Sequence, residues 1–269
     1  MTGWLRRWRR KRILAQKRIP ERLWQEVIAA QPLLMRMSVP AQQQLHELAT
    51  LLVAEKRFYG IAGLQVGPWQ TTTIAALGCV PVLELGLDWY RGWCSIVIYP
   101  GGFRARHAYP DDAGVIHEQV TELIGEAWDG GPLVLSWEDI QGGVRLDGYN
   151  VVLHEFAHKL DMRNGVANGM PPLHRGMSRR DWTRAFTNAW NQAQAAAAAG
   201  EELVLDRYAL ESPGEFFAVA CEVFFELPER LCAGYPAVYE QLRRFFRQDP
   251  LQRSSSSQAI YRPLTTERN

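Results

Sequence analysis

Residues 147–165 read DGYNVVLHEFAHKLDMRNG, and the spacing inside this stretch predicts a metal-binding helix. Val151, Val152, Leu153, Phe156, Ala157 and Leu160 give it apolar cover, Asp147-Gly148 offers a start, and Asn164-Gly165 offers a stop. Residues four apart lie on one helix face. His154 and His158 therefore present two imidazoles to one ion, with Glu155 beside the first. Zinc held in this way lowers the pKa of a bound water, and the neighbouring carboxylate takes its proton as it attacks a carbonyl. A helix apolar enough to be buried also keeps bulk water from competing for the ion.

Catalytic zinc takes three protein ligands and leaves one position open. The third ligand must come from elsewhere in the chain. Downstream candidates are His174 and the glutamates 201, 202, 211, 215, 222 and 226. His174 lies in a Gly/Pro-rich loop and does not stand in the metzincin extension, where Asp161-Met162-Arg163-Asn164 occurs instead. Ser212-Pro213 opens an apolar helix on which Glu215 and Glu222 share one face among Phe216, Phe217, Val219, Phe224 and Phe225. On the residues alone, Glu215 and Glu222 both remain open.

The rest of the chain predicts an α+β fold with a small mixed sheet packed on a mostly helical body. Helices are expected over 20–30, 38–57, 180–199, 213–227 and 237–248, and strands over Thr71–Leu77, Ser95–Tyr99 and Leu133–Trp137. The Leu133–Trp137 strand is a candidate sheet edge for an extended peptide. Leu83 to Trp89 fits either a short helix or a loop. One metallopeptidase domain is expected over residues 20–252, with helices and sheet to 140 and catalytic helices from 141. The tail 253–269, with four consecutive serines, is expected to be disordered.

A net charge of +1 excludes the molecule as a whole from electrostatic nucleic-acid binding. The basic stretch WLRRWRRKR at Trp4 to Arg12 is the exception. It reads as a solvated, poorly ordered arm over residues 1–19, or as a contact for a membrane surface or an acidic partner. No 18-residue apolar run predicts a membrane span. Four cysteines without a C-x-x-C pair, and no secretory signal, predict reduced thiols and a cytoplasmic location.

Several segments together resemble one family: HEFAHKLD from His154, SPGEFFAV from Ser212, CEVFF from Cys221, PVLELGLDW from Pro81, IYP from Ile98, LSWEDI from Leu135 and QDPL from Gln248. Over roughly residues 20 to 252 the chain is similar to the Mlc titration factor A peptidases, gluzincin-type zinc enzymes whose core is similar to the anthrax lethal factor protease domain. The resemblance implies one zinc ion per chain held by His154, His158 and Glu215, with Glu155 as general base and Tyr208 facing the metal. Asp161 is expected to orient an imidazole. Gly214 and Cys221 depart from the alanine and serine usual in that family, and neither is an expected ligand.

These readings predict hydrolysis of peptide bonds by a Glu155-activated, zinc-bound water. The family resemblance adds aminopeptidase-like action on a peptide substrate and a link to a transcriptional repressor of the Mlc kind. The competing function is a regulator that sequesters such a repressor of sugar-uptake genes, with catalysis secondary. Zinc as structural glue fits poorly, because structural sites favour four protein ligands and cysteines.

Overall fold

The computed structural model describes residues 3–110, 116–123, 125–127, 130–143 and 145–252. The predicted tail 253–269 lies outside them. Four helices open the described chain: α1 (Gly3–Gln16), α2 (Glu21–Ala30), α3 (Pro32–Met35) and α4 (Val39–Glu55). The segment expected to be a loose arm is thus helix α1, packed on α4. Its charge is held by distant partners: Arg6 pairs with Asp88, and Arg10 pairs with Glu55 and Asp88.

Strand β1 (Arg57–Gly60) is followed by α5 (Pro68–Cys79), which corrects the strand expected at Thr71–Leu77. The run TTTI favours a strand by β-branching. However, Pro68 occupies the first helical turn, the Gln70 Oε1 accepts from the Gly67 amide at 3.0 Å, and every residue from Thr72 to Cys79 is buried. A helix covered on all sides has no polar stripe to reveal its period. Leu83 to Trp89 forms turns that lead into a 3-10 helix at Leu87–Tyr90.

Five further strands follow: β2 (Ser95–Tyr99), β3 (Phe103–Pro110), β4 (Ile116–Leu123), β5 (Gly125–Ala127) and β6 (Leu133–Ser136). The main sheet has the order β1-β2-β6-β5, with β1, β2 and β6 parallel and β5 antiparallel to β6. β3 and β4 pair separately as an antiparallel hairpin. In register, Ile96 pairs with Leu133 and Ile98 with Leu135. β6 is buried at every residue, as an interior parallel strand is. The expected sheet edge at Leu133–Trp137 is therefore corrected: β5 takes the edge. Trp137 begins α6 (Trp137–Gly142), where the Ser136 Oγ accepts from the Asp139 amide at 3.3 Å.

The remaining helices are α7 (Val151–Asp161), α8 (Arg179–Ala199), α9 (Pro213–Glu226), α10 (Pro228–Gly234) and α11 (Pro236–Phe246). α7 is buried at every residue and packs between the sheet strands β5 and β6, α5 and α9. Lys159 on α7 donates to the carbonyls of Gly131 and Pro132, which ties the helix to the approach of β6. Gly78 of α5 lies against the Phe156 ring, and a Cβ there would stand 2.5 Å from a ring carbon. Only a glycine lets α5 and α7 approach this closely. The fold is mixed α and β, mostly helical around a small sheet.

Candidate metal centre

Asn150 caps α7, its Oδ1 accepting from the Leu153 amide at 3.1 Å. The Asn150 amide donates to Glu222, its Nδ2 donates to Glu226 Oε1 at 2.9 Å, and the Gly148 amide donates to Glu226 Oε2 at 3.2 Å. Two acidic side chains from α9 therefore sit at the positive end of α7, which favours their charge, but burial outweighs this, raising Glu222 and pushing Glu226 up to about 8. This clamp fixes the two helices against each other at the turn that carries His154.

α9 begins with Ser212, whose Oγ accepts from the Glu215 amide at 3.1 Å, and Pro213. The Ser-x-x-Glu pattern is that of a capping box, but here the Glu215 carboxylate turns to the imidazoles. Its Oε2 lies 2.9 Å from His154 Nε2 and 3.3 Å from His158 Nε2, and the two Nε2 atoms are 3.1 Å apart. The ligand atoms of these three residues all fall within 4.8 Å of one another. Two imidazole nitrogens and a carboxylate oxygen converging on one point form a donor set that could hold a metal ion.

Glu222 reaches the opposite edge of the same ring: its Oε1 accepts from His154 Nδ1 at 2.8 Å. That bond holds a proton on Nδ1, which leaves Nε2 as the nitrogen a metal ion would take. Glu215 and Glu222, inseparable by spacing, thus meet different nitrogens of one histidine. Burial lowers the His154 pKa, but Glu222 and Glu215 outweigh it and hold the group well above the usual histidine range. Burial also works to raise Glu215, yet its bonds to both histidines bring it well below the usual carboxylate range. A cation bound here would displace the histidine proton, as metal binding to protonated ligands does.

Glu155 is buried, and its Oε2 has no hydrogen-bond partner among the described residues. Burial pushes its pKa up to about 7 against the pull of His154 and His158. A carboxyl poised near neutrality beside an ion-binding cluster is suited to taking and returning a proton. Tyr208 stands on a 3-10 turn at Arg207–Leu210, which Asp206 caps by accepting from the Tyr208 amide at 2.8 Å. Its ring is 5.9 Å from that of His154, and it is half exposed to the cleft. Burial and then Glu215 raise its hydroxyl pKa, so it stays protonated and able to donate.

The structure does not bring Asp161 onto an imidazole. Its Oδ2 accepts from the Gly169 amide at 2.7 Å, while its Oδ1 and His158 Nδ1 are both buried without a hydrogen-bond partner among the described residues. Asp161 closes the loop after α7, and that loop abuts the start of α9: a Cβ on Gly169 would meet the Pro213 carbonyl oxygen at 2.5 Å. Gly214, where the resemblance has alanine, faces Ala167 in the same loop, with 3.3 Å left for a Cβ. His174 is packed against Trp89 and Phe245, away from the cluster, and Glu201, Glu202 and Glu211 are exposed. Sequence reasoning missed the roles of Asn150, Glu222 and Glu226. Their one signal was three carboxylates on an otherwise apolar helix.

A cavity of about 460 Å³ opens at His154 and Glu155. Val204, Val219 and Val223 give it apolar walls, and Asp147, Asp206 and Arg230 add charge.

The sequence profile of the glucose-regulated metallo-peptidase family M90 matches residues 5–247. Among curated proteins, the Mlc titration factor A of Yersinia pestis strain Pestoides F is 40% identical over 234 residues, which is 86% of this chain and 86% of the relative. The Mlc titration factor A of Yersinia pseudotuberculosis serotype O:3 matches to the same extent. A family profile over residues 5–247 and 40% identity over 86% of the chain have one consequence: the chain belongs to the glucose-regulated metallo-peptidase family M90.

Proposed function

We propose that this metallopeptidase is a zinc-dependent, gluzincin-type enzyme with an HExxH helix, acting at the amino-terminal end of peptides. The observation that carries the reading is the convergence of His154 Nε2, His158 Nε2 and Glu215 Oε2 beside the unpartnered carboxylate of Glu155. Zinc held by those three groups would supply Lewis acidity, polarising a peptide carbonyl and making water a nucleophile at neutral pH. Glu155 takes the proton of the attacking water and passes it to the leaving amine nitrogen. The Tyr208 hydroxyl donates to the oxygen on which negative charge develops. Glu222 keeps His154 in its binding tautomer, and Asp161 acts on His158 by charge and by fixing the loop behind it. The buried length of α7 keeps bulk water from these groups.

The cavity supports an amino-terminal mode of binding. Its valine walls suit a substrate side chain, and Asp147 and Asp206 are available to a free α-ammonium group. One core continuous from Ile13 to Phe246 supports a single catalytic domain that takes in helix α1 together with residues 20–252. Four unpaired cysteines support a cytoplasmic location, and no helix among the described residues is long and apolar enough to cross a membrane.

Purified protein is expected to hold one zinc ion per chain by metal analysis. Glu155→Gln should retain it while losing about a thousandfold in kcat/KM on short peptides. A folded protein that takes up no zinc, or a Glu155→Gln variant with full activity, overturns the proposal. The name of the Yersinia relatives supports a second reading, in which the chain titrates a transcriptional repressor of the Mlc kind. If binding alone does this, Glu155→Gln leaves repressor capture intact; loss of capture would make catalysis part of the regulation.

A further inference from the structure

Helix α1 carries cations on two faces that meet different surroundings. Arg6 and Arg10 turn inward to Asp88 and Glu55, with N–O distances of 2.8 to 3.1 Å, and Ile13 reaches the core. This anchoring decides which face stays outside. On that face stand Trp4 and Trp8, one turn apart and 67% and 54% exposed, with Leu5 beside them. Arg7, Arg9, Lys11 and Arg12 surround them and are also exposed. The Arg12 guanidinium lies 5.8 Å over the Trp8 ring, and α1 contains no acidic residue. Along the flank of the helix, a pocket of about 220 Å³ is lined by Arg6, Arg9, Arg10, Arg91 and Lys56, with Glu55 as its acid.

A face that only needs solvation is served by its charges, and two tryptophans exposed on it demand a further cause. Indole rings favour the boundary between acyl chains and headgroups, and arginine and lysine around them engage lipid phosphate. A nucleic acid or an acidic protein would answer the charge. Two indoles and a leucine ringed by cations, with no acid on the helix, are the pattern of a helix lying at an anionic lipid interface.

We infer that α1 docks this protein in the plane of an anionic phospholipid surface. Trp4, Trp8 and Leu5 enter the headgroup boundary, Arg7, Arg9, Lys11 and Arg12 lie on phosphates, and the flanking pocket takes a headgroup phosphate. At fourteen residues the helix is about 21 Å long, so it lies on a bilayer and does not cross one. The inference is independent of the chemistry assigned to α7 and α9.

The test is co-sedimentation of the full chain with vesicles of phosphatidylcholine alone, or of phosphatidylcholine with about one-third phosphatidylglycerol. Binding is expected to the anionic vesicles only, and it should weaken with added salt. Trp4→Ala/Trp8→Ala should lose at least about tenfold in affinity. Arg7→Gln/Arg9→Gln/Lys11→Gln/Arg12→Gln should lose roughly fivefold per cation. Circular dichroism and unfolding midpoints check that both variants remain folded. Absent binding, equal binding to neutral vesicles, or undiminished binding by either folded variant overturns the inference. So does binding abolished by soluble DNA or polyglutamate to which the tryptophan pair contributes nothing, since the partner would then be a polyanion.

Discussion

Lys56 donates to the carbonyls of Tyr90 and Trp93, both at 2.6 Å, and its ammonium lies 3.5 Å over the Trp93 ring. His46, also buried, has its Nε2 2.9 Å from the Ile19 carbonyl and its ring stacked on Trp24 at 4.5 Å. The two buried basic side chains of this amino-terminal region, Lys56 and His46, thus meet partners within the fold. On α7 the arrangement is the reverse. Six buried side-chain polar atoms among the described residues lack a hydrogen bond, and three of them belong to α7: Glu155 Oε2, His158 Nδ1 and Asp161 Oδ1. The other three lie singly on Thr73, Trp93 and Gln241. Leaving a buried polar atom unmatched costs about 1–3 kcal/mol, so a cluster of them beside converging ligand atoms indicates groups kept for a partner from outside the chain. Away from the site unmatched atoms occur singly, and only on α7 do three fall within seven residues beside converging ligand atoms.

The sharpest way to break this contrast is at Glu222, which is buried for the site and not for itself. Glu222→Gln keeps an oxygen for the Asn150 amide but no longer offers His154 Nδ1 a charged acceptor. Zinc affinity should fall about 10- to 100-fold by competition with a chelator, the range found when groups behind a metal ligand are replaced. Lys56→Met, in the satisfied region, should leave zinc affinity unchanged. Equal losses in the two variants would mean that the distinction between the regions has no content.

The two regions touch at Phe156, whose ring meets Tyr90 and Trp93 edge-on at 5.0 and 5.8 Å and lies on Gly78 from the other helix. Gly78→Ala pushes a methyl group into that ring. Overpacking of this kind should cost about 1–3 kcal/mol in urea unfolding of the metal-free protein. Because the strain enters through a packing residue, zinc affinity should change less than in Glu222→Gln. A larger loss of zinc than of stability would show that the packed region sets the ligand geometry directly.

The same contrast explains what could be read from the sequence. α7 was legible because its start, stop, apolar cover and two histidines all lie within nineteen consecutive residues. β2 and β6 were legible as short β-branched or apolar runs ending in turns. Helix α5 was not, because burial on every side erases the polar stripe and leaves TTTI to suggest a strand. Helix α1 was misjudged because its acidic partners Glu55 and Asp88 lie 45 and 82 residues away. Spacing placed Glu215 and Glu222 on one face and could go no further. Which ring nitrogen each would meet depends on how α9 docks on α7, a tertiary fact with no local signature.

The smallest expected effect is a pH slope, and it tests whether the Lys56 cluster is as well satisfied as its geometry implies. Burial brings the Lys56 pKa down from 10.5 to about 8, against the pull of Glu55. Above about pH 8 the folded protein has released this proton, while the unfolded chain keeps it until near the usual lysine value. The unfolded state then binds more protons, so stability rises with pH in that window, with a slope approaching about 1.4 kcal/mol per unit. Lys56→Met removes the titrating group and leaves the Tyr90 and Trp93 carbonyls without their donor. The stability of wild type minus variant, from urea unfolding at about pH 7, 9 and 10, should therefore be flat at first and then climb. Other groups that titrate in the same range cancel in the difference. A difference that falls with pH would mean that two carbonyls and an indole face hold the ammonium more firmly than water does. The ammonium of Lys56 would then be oversatisfied, and its contrast with the open valences of α7 would widen.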